Sequence, residues 1–152
     1  MKKTIFLLAI GFSVITANAQ KLKEADVPAG VKATFTKLYP TAKVEKWEKE
    51  DVNYEAEFEN NKVETSVLIG PTNNLLETET EIKVSELPKA VADYCTKNCA
   101  GKKIKEASKI TDASGKVTYE AEVDEADYIF DSNGNFIKKE VEAKDEKGGD
   151  KK

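Results

Sequence analysis

Histidine is absent from the 152 residues, and cysteine, tryptophan and methionine are scarce at two, one and one. Without histidine, a serine or cysteine nucleophile has no imidazole base, and the commonest transition-metal ligand is missing. Cys95 and Cys99 stand four apart, which is not the C-x-x-C spacing of a catalytic redox pair. A basic surplus is also lacking: 24 Lys and Arg face 28 Asp and Glu, for a formal charge of −4. That balance argues against nucleic acid and against an anionic membrane surface, both of which need a basic footprint.

A run long enough to cross a bilayer is missing too. Ile5 to Ile15 is mostly apolar, but it falls short of the ~20 residues a membrane helix needs. Lys2 and Lys3 precede it, and Ala17-Asn18-Ala19 follows with small residues where a signal peptidase reads. The pattern predicts a secretory signal peptide over residues 1–19, cleaved between Ala19 and Gln20. No cysteine sits at that cleavage point, so neither a lipid nor a membrane anchor is expected afterwards. The mature chain of 133 residues would carry −6 and be periplasmic or secreted. Its length suits one domain or two small modules.

What is present is an internal repeat. Val27-Pro28 and Leu87-Pro88 lie 60 residues apart, as do Phe35 and Cys95, Tyr39 and Cys99, and Val44 and Ile104. The tetrapeptide YEAE occurs as Tyr54–Glu57 and again as Tyr119–Glu122, an offset of 65, with the turn-rich TDASGK before the second copy. Farther on, Ile69 matches Phe130 and Leu76 matches Ile137 at an offset of 61.

Each copy opens with a helix. Pro28 and Pro88 suit a first helical turn, where a missing N–H costs nothing. Tyr39-Pro40 should end the first helix and Ala100-Gly101 the second. Strands follow, with Tyr54, Ala56 and Phe58 alternating with glutamates, and Tyr119, Ala121 and Val123 doing likewise. Asn73-Asn74 and Asn133-Gly134 mark hairpin turns that tolerate positive φ. The expectation is an α+β protein of two tandem helix-plus-four-strand units, an antiparallel sheet with helices on one face. Its boundaries are a linker at 20–26, one unit at 27–83, a second at 84–143, and a charged, disordered tail at 144–152.

Carboxylates are plentiful, yet most glutamates alternate on what should be a solvated strand face. Acid–base catalysis needs two pKa values pushed apart in a pocket, so no catalytic residue is assigned. Asp131–Asn135, DSNGN, has the look of a calcium loop, but Phe136 stands where the loop needs its glycine, and a hairpin turn is the better reading. No metal or cofactor is expected. Cys95 and Cys99 fit either a local disulfide in an oxidising compartment or two small core residues.

Apolar residues out of phase with the core pattern are the candidates for binding. Leu68 and its counterpart Ile129, Leu75 and its counterpart Phe136, and Trp47 on a regular strand would all fall on the Glu-rich face. Together they make a protein-binding patch centred on Trp47, or else are scattered surface apolars.

The stretch VPAGVKATFTKLYPTAKVEKWEKEDVNYEAEFE with SVLIGPTNNLLETETEI, and LPKAVADYCTKNCAGKKIKEA with YIFDSNGNFIKKE, resembles the PepSY-like, beta-lactamase-inhibitor-like family of exported bacterial proteins. The likeness spans about residues 26–142; Cys99-Ala100 departs from it where Tyr-Pro is the pattern. It implies helices on one face of an antiparallel sheet whose open face binds protein. The function it implies is a non-enzymatic binding module, in its sharper form an inhibitor of an exported hydrolase such as a peptidase or beta-lactamase. The alternative is an acidic-face binder or carrier of small cationic ligands or peptides.

Overall fold

The computed structural model describes residues 20–141. Residues 1–19, read above as a signal peptide ending at Ala19, and the 144–152 tail lie outside the described residues; Gln20 is the first within them.

The strands are β1 (Gln20–Leu22), β2 (Val44–Glu50), β3 (Asn53–Asn60), β4 (Val63–Ile69) and β5 (Leu75–Ile82), followed by β6 (Ile104–Asp112), β7 (Val117–Val123), β8 (Ala126–Asp131) and β9 (Phe136–Val141). Helix α1 (Ala29–Leu38) precedes β2, and α2 (Lys89–Asn98) precedes β6, each introduced by a short 3-10 turn. All nine strands form one antiparallel sheet in chain order.

That topology corrects the expectation of two tandem helix-plus-four-strand units. β5 and β6 pair from Glu77 with Asp112 to Ile82 with Ala107, a ladder like the others, so hydrogen bonding does not stop at the proposed boundary. Part of the 20–26 segment read as a linker is itself a strand, with Leu22 of β1 opposite Trp47. Among the described residues the outcome is a single sheet carrying two helices.

The helices form where expected. Pro28 and Pro88 cap α1 and α2, and Tyr39 and Cys99 close them by donating to the carbonyls of Phe35 and Cys95. Beyond Cys99 the chain turns through Ala100 and Gly101, both at positive φ. Beneath α1 lies a core of Val31, Phe35, Ala56, Phe58, Val67 and Ile69. Beneath α2 lies its equivalent, with Val91, Cys95, Ala121, Val123 and Phe130. Phe35 meets Phe58 edge-on at 5.0 Å, and Tyr94 meets Phe130 edge-on at 5.4 Å.

Four register irregularities decide which face several side chains occupy. They fall between Val44 and Lys46 and between Leu68 and Ile69. Their counterparts fall between Ile104 and Glu106 and between Ile129 and Phe130. A bulge inserts one unpaired residue and thereby reverses the alternation beyond it.

An acidic trough on the helix-free face

The tyrosine and alanine of each YEAE face the helices, and the glutamates face away. Cross-strand partners share a face, so the register defines rows across the helix-free side. One runs Glu48, Glu55, Leu68, Glu77 and Asp112; the next runs Lys46, Glu57, Ser66, Glu79, Ile110 and Thr118. A third runs Glu81, Ser108, Glu120, Ile129 and Lys138.

This face is not the solvated surface that alternation implies. Glu55 and Glu79 are 0% exposed, as is Ser66, and Leu68 is 1% exposed. Glu48, Glu50, Glu57, Glu77 and Glu120 are buried as well. Curvature explains the burial. Lys138 on β9 acts electrostatically on Glu77 on β5, and Glu77 acts on Glu50 on β2. In a flat sheet these pairs would stand about 19 and 14 Å apart, at about 4.8 Å per strand. Full enclosure of Glu55, Ser66 and Glu79 on a face that no helix covers makes that face the inside of a trough, where side chains on the central strands shield one another.

Burial of this kind dominates the acid–base properties. Desolvation pushes Glu50 up to about 7, with repulsion from Glu48, Glu77 and Asp51 adding to it. Glu55 and Glu79 are driven well above the ordinary carboxylate range, first by burial, then by Glu50 beside the one and Glu120 beside the other. Glu57 and Glu77 shift the same way, again chiefly through burial. With the carboxylates ionised, no donor reaches either oxygen of Glu55 or of Glu79, and the Ser66 hydroxyl has no partner. Ser66 and Ser108 ease Glu55 and Glu79 electrostatically without reaching hydrogen-bond geometry on their oxygens. Glu50 and Glu55 face each other closely enough to share a proton, a bond that disappears when both ionise.

Lys46 is the cation at one end of this array. Its Nζ lies 2.8 Å from Glu48 Oε2 and 3.0 Å from Glu57 Oε1. Burial pulls its pKa down, but the two carboxylates outweigh that and hold it above the ordinary value. Carboxylate oxygens of Glu48, Glu55 and Glu57 lie within 4.8 Å of one another, a set that could ligate a hard cation.

The candidate binding residues separate by face. Leu68 and Ile129 stand in the trough, both buried. Trp47 does not: the bulge at Val44/Lys46 puts it on the helix side, 5% exposed and edge-on to Phe35 at 5.9 Å. Leu75 pairs with Ile69 across the next bulge and packs on the α1 core. Phe136 pairs with Phe130 and stacks on Tyr94 at 4.7 Å, leaving it 39% exposed on the helix side. The five residues therefore do not share one face, because bulges carry Trp47, Leu75 and Phe136 to the side opposite Leu68 and Ile129. Cys95 and Cys99 are free thiols buried in the α2 core, and burial followed by Cys99 beside it pushes Cys95 up to about 12.

Sequence reasoning missed the buried glutamates. Their signal was position: Glu55, Glu57, Glu77 and Glu79 occupy β3 and β5, flanked by strands on both sides, where a wide sheet shields both faces.

No curated protein matches the sequence. Solved structures share the fold. A DUF2874 family protein from Bacteroides uniformis is 22% identical, with 76% of this chain and 89% of that one covered and a TM-score of 0.66. A protein from Bacteroides eggerthii, titled as a putative periplasmic protein, is 20% identical over 76% and 88% of the two chains at a TM-score of 0.66. A BLIP-like protein from Bacteroides fragilis is 22% identical over 78% and 89%, at 0.60. The family model described as "Putative beta-lactamase-inhibitor-like, PepSY-like" matches twice, at residues 13–77 and 72–138. The two matches together cover most of the sequence, and the chain belongs to that family.

Proposed function

We propose that this protein is an exported, non-enzymatic binding module whose acidic trough receives a basic segment of a protein partner. One observation carries the reading: Glu55 and Glu79 are fully buried at the middle of a helix-free face with no donor on any of their oxygens. Buried carboxylates are ordinarily paired or hydrogen-bonded, because an isolated one costs several kcal/mol. An inserted lysine or arginine would supply the missing donors, and Leu68, Ile110 and Ile129 on the same rows suit its aliphatic stem better than a small cation with no stem to bury. An acid–base enzyme is disfavoured because Glu50, Glu55, Glu57, Glu77 and Glu79 are shifted upward together, whereas such chemistry needs a pair shifted apart.

The sharper form is restraint of a periplasmic hydrolase, which the BLIP-like neighbour supports by its fold. The test is capture from the native periplasm with the wild-type protein and with Leu68→Asp and Glu79→Gln, followed by titration of the partner's activity. Both substitutions should reduce capture, and higher salt should weaken it. A partner held equally well by all three proteins would remove the trough from the interaction. A partner that binds the trough while keeping full activity would leave a binder that is not an inhibitor.

A further inference from the structure

We propose that the trough also contains a calcium-class cation site formed by Glu48, Glu55 and Glu57, with Lys46 as its exchangeable internal counterion. Three oxygens from separate side chains lie within 4.8 Å of one another. A calcium shell with bonds of about 2.3–2.6 Å spans roughly 4.6–5.2 Å, so one ion fits among them. The donors are all carboxylate oxygens, which select a hard ion over the transition metals.

A second observation points to a ligand there. Both Glu55 oxygens lack a donor although the residue is fully buried, and the equally buried Ser66 hydroxyl, opposite Glu57, lacks a partner too. These groups are turned inward in one place, where Glu50 and Ser66 face Glu55 and the cation paired with its neighbours Glu48 and Glu57 is Lys46. That ammonium contacts Glu48 and Glu57 but makes no ion pair with Glu55. Its side chain is 19% exposed, so it reaches the site from the trough's accessible side. Its flexible stem permits withdrawal. A divalent ion would replace Lys46 between Glu48 and Glu57 and take up Glu55 as well, with water completing the six to eight ligands calcium requires. Exchange makes the affinity modest, in the range of about 0.1–1 mM found for extracellular calcium modules.

The experiment uses the purified, chelator-treated mature protein alone, so its result is independent of any protein partner. Terbium is titrated while its luminescence is excited through Trp47, the single tryptophan, which lies next in the chain to Glu48. Calcium is then used as competitor, and the melting temperature is followed with calcium. A saturable signal at one ion per chain, displaced by calcium and accompanied by a rise in melting temperature, is expected. Glu55→Gln should abolish both effects. Lys46→Met should tighten calcium binding by about tenfold, the effect of removing a competing charge worth about 1.4 kcal/mol. Asp131→Asn, in the β8–β9 turn, should change nothing. The proposal is overturned if folded wild-type protein shows no saturable signal at millimolar ion. It is equally overturned if Glu55→Gln binds normally, if Lys46→Met fails to bind more tightly, or if Asp131→Asn removes the signal. Should Glu55→Gln fail to fold, Glu48→Gln must show the same loss.

Discussion

Gly30 and Asn73 pack against each other where α1 meets the β4–β5 turn, so closely that a Cβ on Gly30 would collide with the Asn73 side chain. The second half makes the same contact with the small residue exchanged. Ala90 stands on α2, and Gly134 lies in the β8–β9 turn, where an added Cβ would come within 2.8 Å of the Ala90 Cβ. Asn73 and Gly134 share a left-handed backbone, at φ 65° and 81°. Gly30→Ala should therefore cost about 1–2 kcal/mol, within the range for overpacking. Adding Asn73→Gly copies the second half and should restore most of the loss. Urea unfolding of the single and double variants measures both; equal stability of the two would show that Asn73 is not the obstruction.

Stability should fall as pH rises from about 5 to 7. Glu50 titrates near 4.5 when unfolded and about 7 when folded. Between those values the folded chain keeps a proton that the unfolded chain has released, so rising pH favours unfolding. At about 1.4 kcal/mol per pH unit, Glu50 alone contributes on the order of 3 kcal/mol. Glu48 on the same strand, Asp51 beyond it, Glu55 on β3 and Glu77 on β5 are the charges that face it. Glu55 and Glu79, likewise raised well above the ordinary carboxylate range by burial, add to the decline. Asp112 and Asp131 act oppositely. Hydrogen bonds from Ser114 and Asn135 hold them low, so their contribution is lost only in acid. Urea-derived stability measured from pH 5 to 8 in chelator tests the direction; a rise across that interval would contradict it.

Glu79→Gln should stabilise the free protein at pH 8 by about 1–3 kcal/mol, the usual cost of a buried unsatisfied polar group. The amide keeps the volume, sheds the charge and offers donors to the acidic groups of Glu120 and Asp127 that act on it. Stabilisation paired with weaker partner capture would identify Glu79 as a carboxylate kept for binding at the expense of stability. Destabilisation would instead mean that the charge is already satisfied within the fold.

Trp47→Ala should lower stability by about 3–5 kcal/mol, as expected for a core aromatic. Trp47 is nearly fully buried and touches Phe35. Its fluorescence should be that of a buried indole and should change little when a partner fills the trough. A large shift on partner binding, with stability of Trp47→Ala unchanged, would put the indole at an interface.

Cys95 and Cys99 should resist alkylation in the folded, reduced protein and react at both sites once it is unfolded. Both are buried, and the Cys95 thiol is pushed up to about 12, which leaves almost no reactive thiolate at neutral pH. Mass spectrometry with and without denaturant counts the modified thiols. Rapid labelling of native protein would place them at the surface.

The strands and helices were legible because their signals are local. Pro28, Pro88, Ala100-Gly101 and the asparagine turns act through their own backbone preferences, and the predicted helix ends match the observed ones. Alternation also placed both YEAE segments correctly, since β3 and β7 are regular through that stretch. It failed for Trp47, Leu75 and Phe136 because each follows or borders a bulge, and an inserted residue carries no marker in a pattern of period two.

Periodicity and turn chemistry by themselves determined that this chain forms two helices and a succession of antiparallel strands, with one face apolar and the other acidic. Only the tertiary structure decided that all nine strands join in one sheet and that the acidic face curls inward. Strand pairing between β5 and β6, and curvature accumulated across the sheet, are long-range properties that no local window contains. They convert glutamates that alternate as surface residues into buried carboxylates that repel one another.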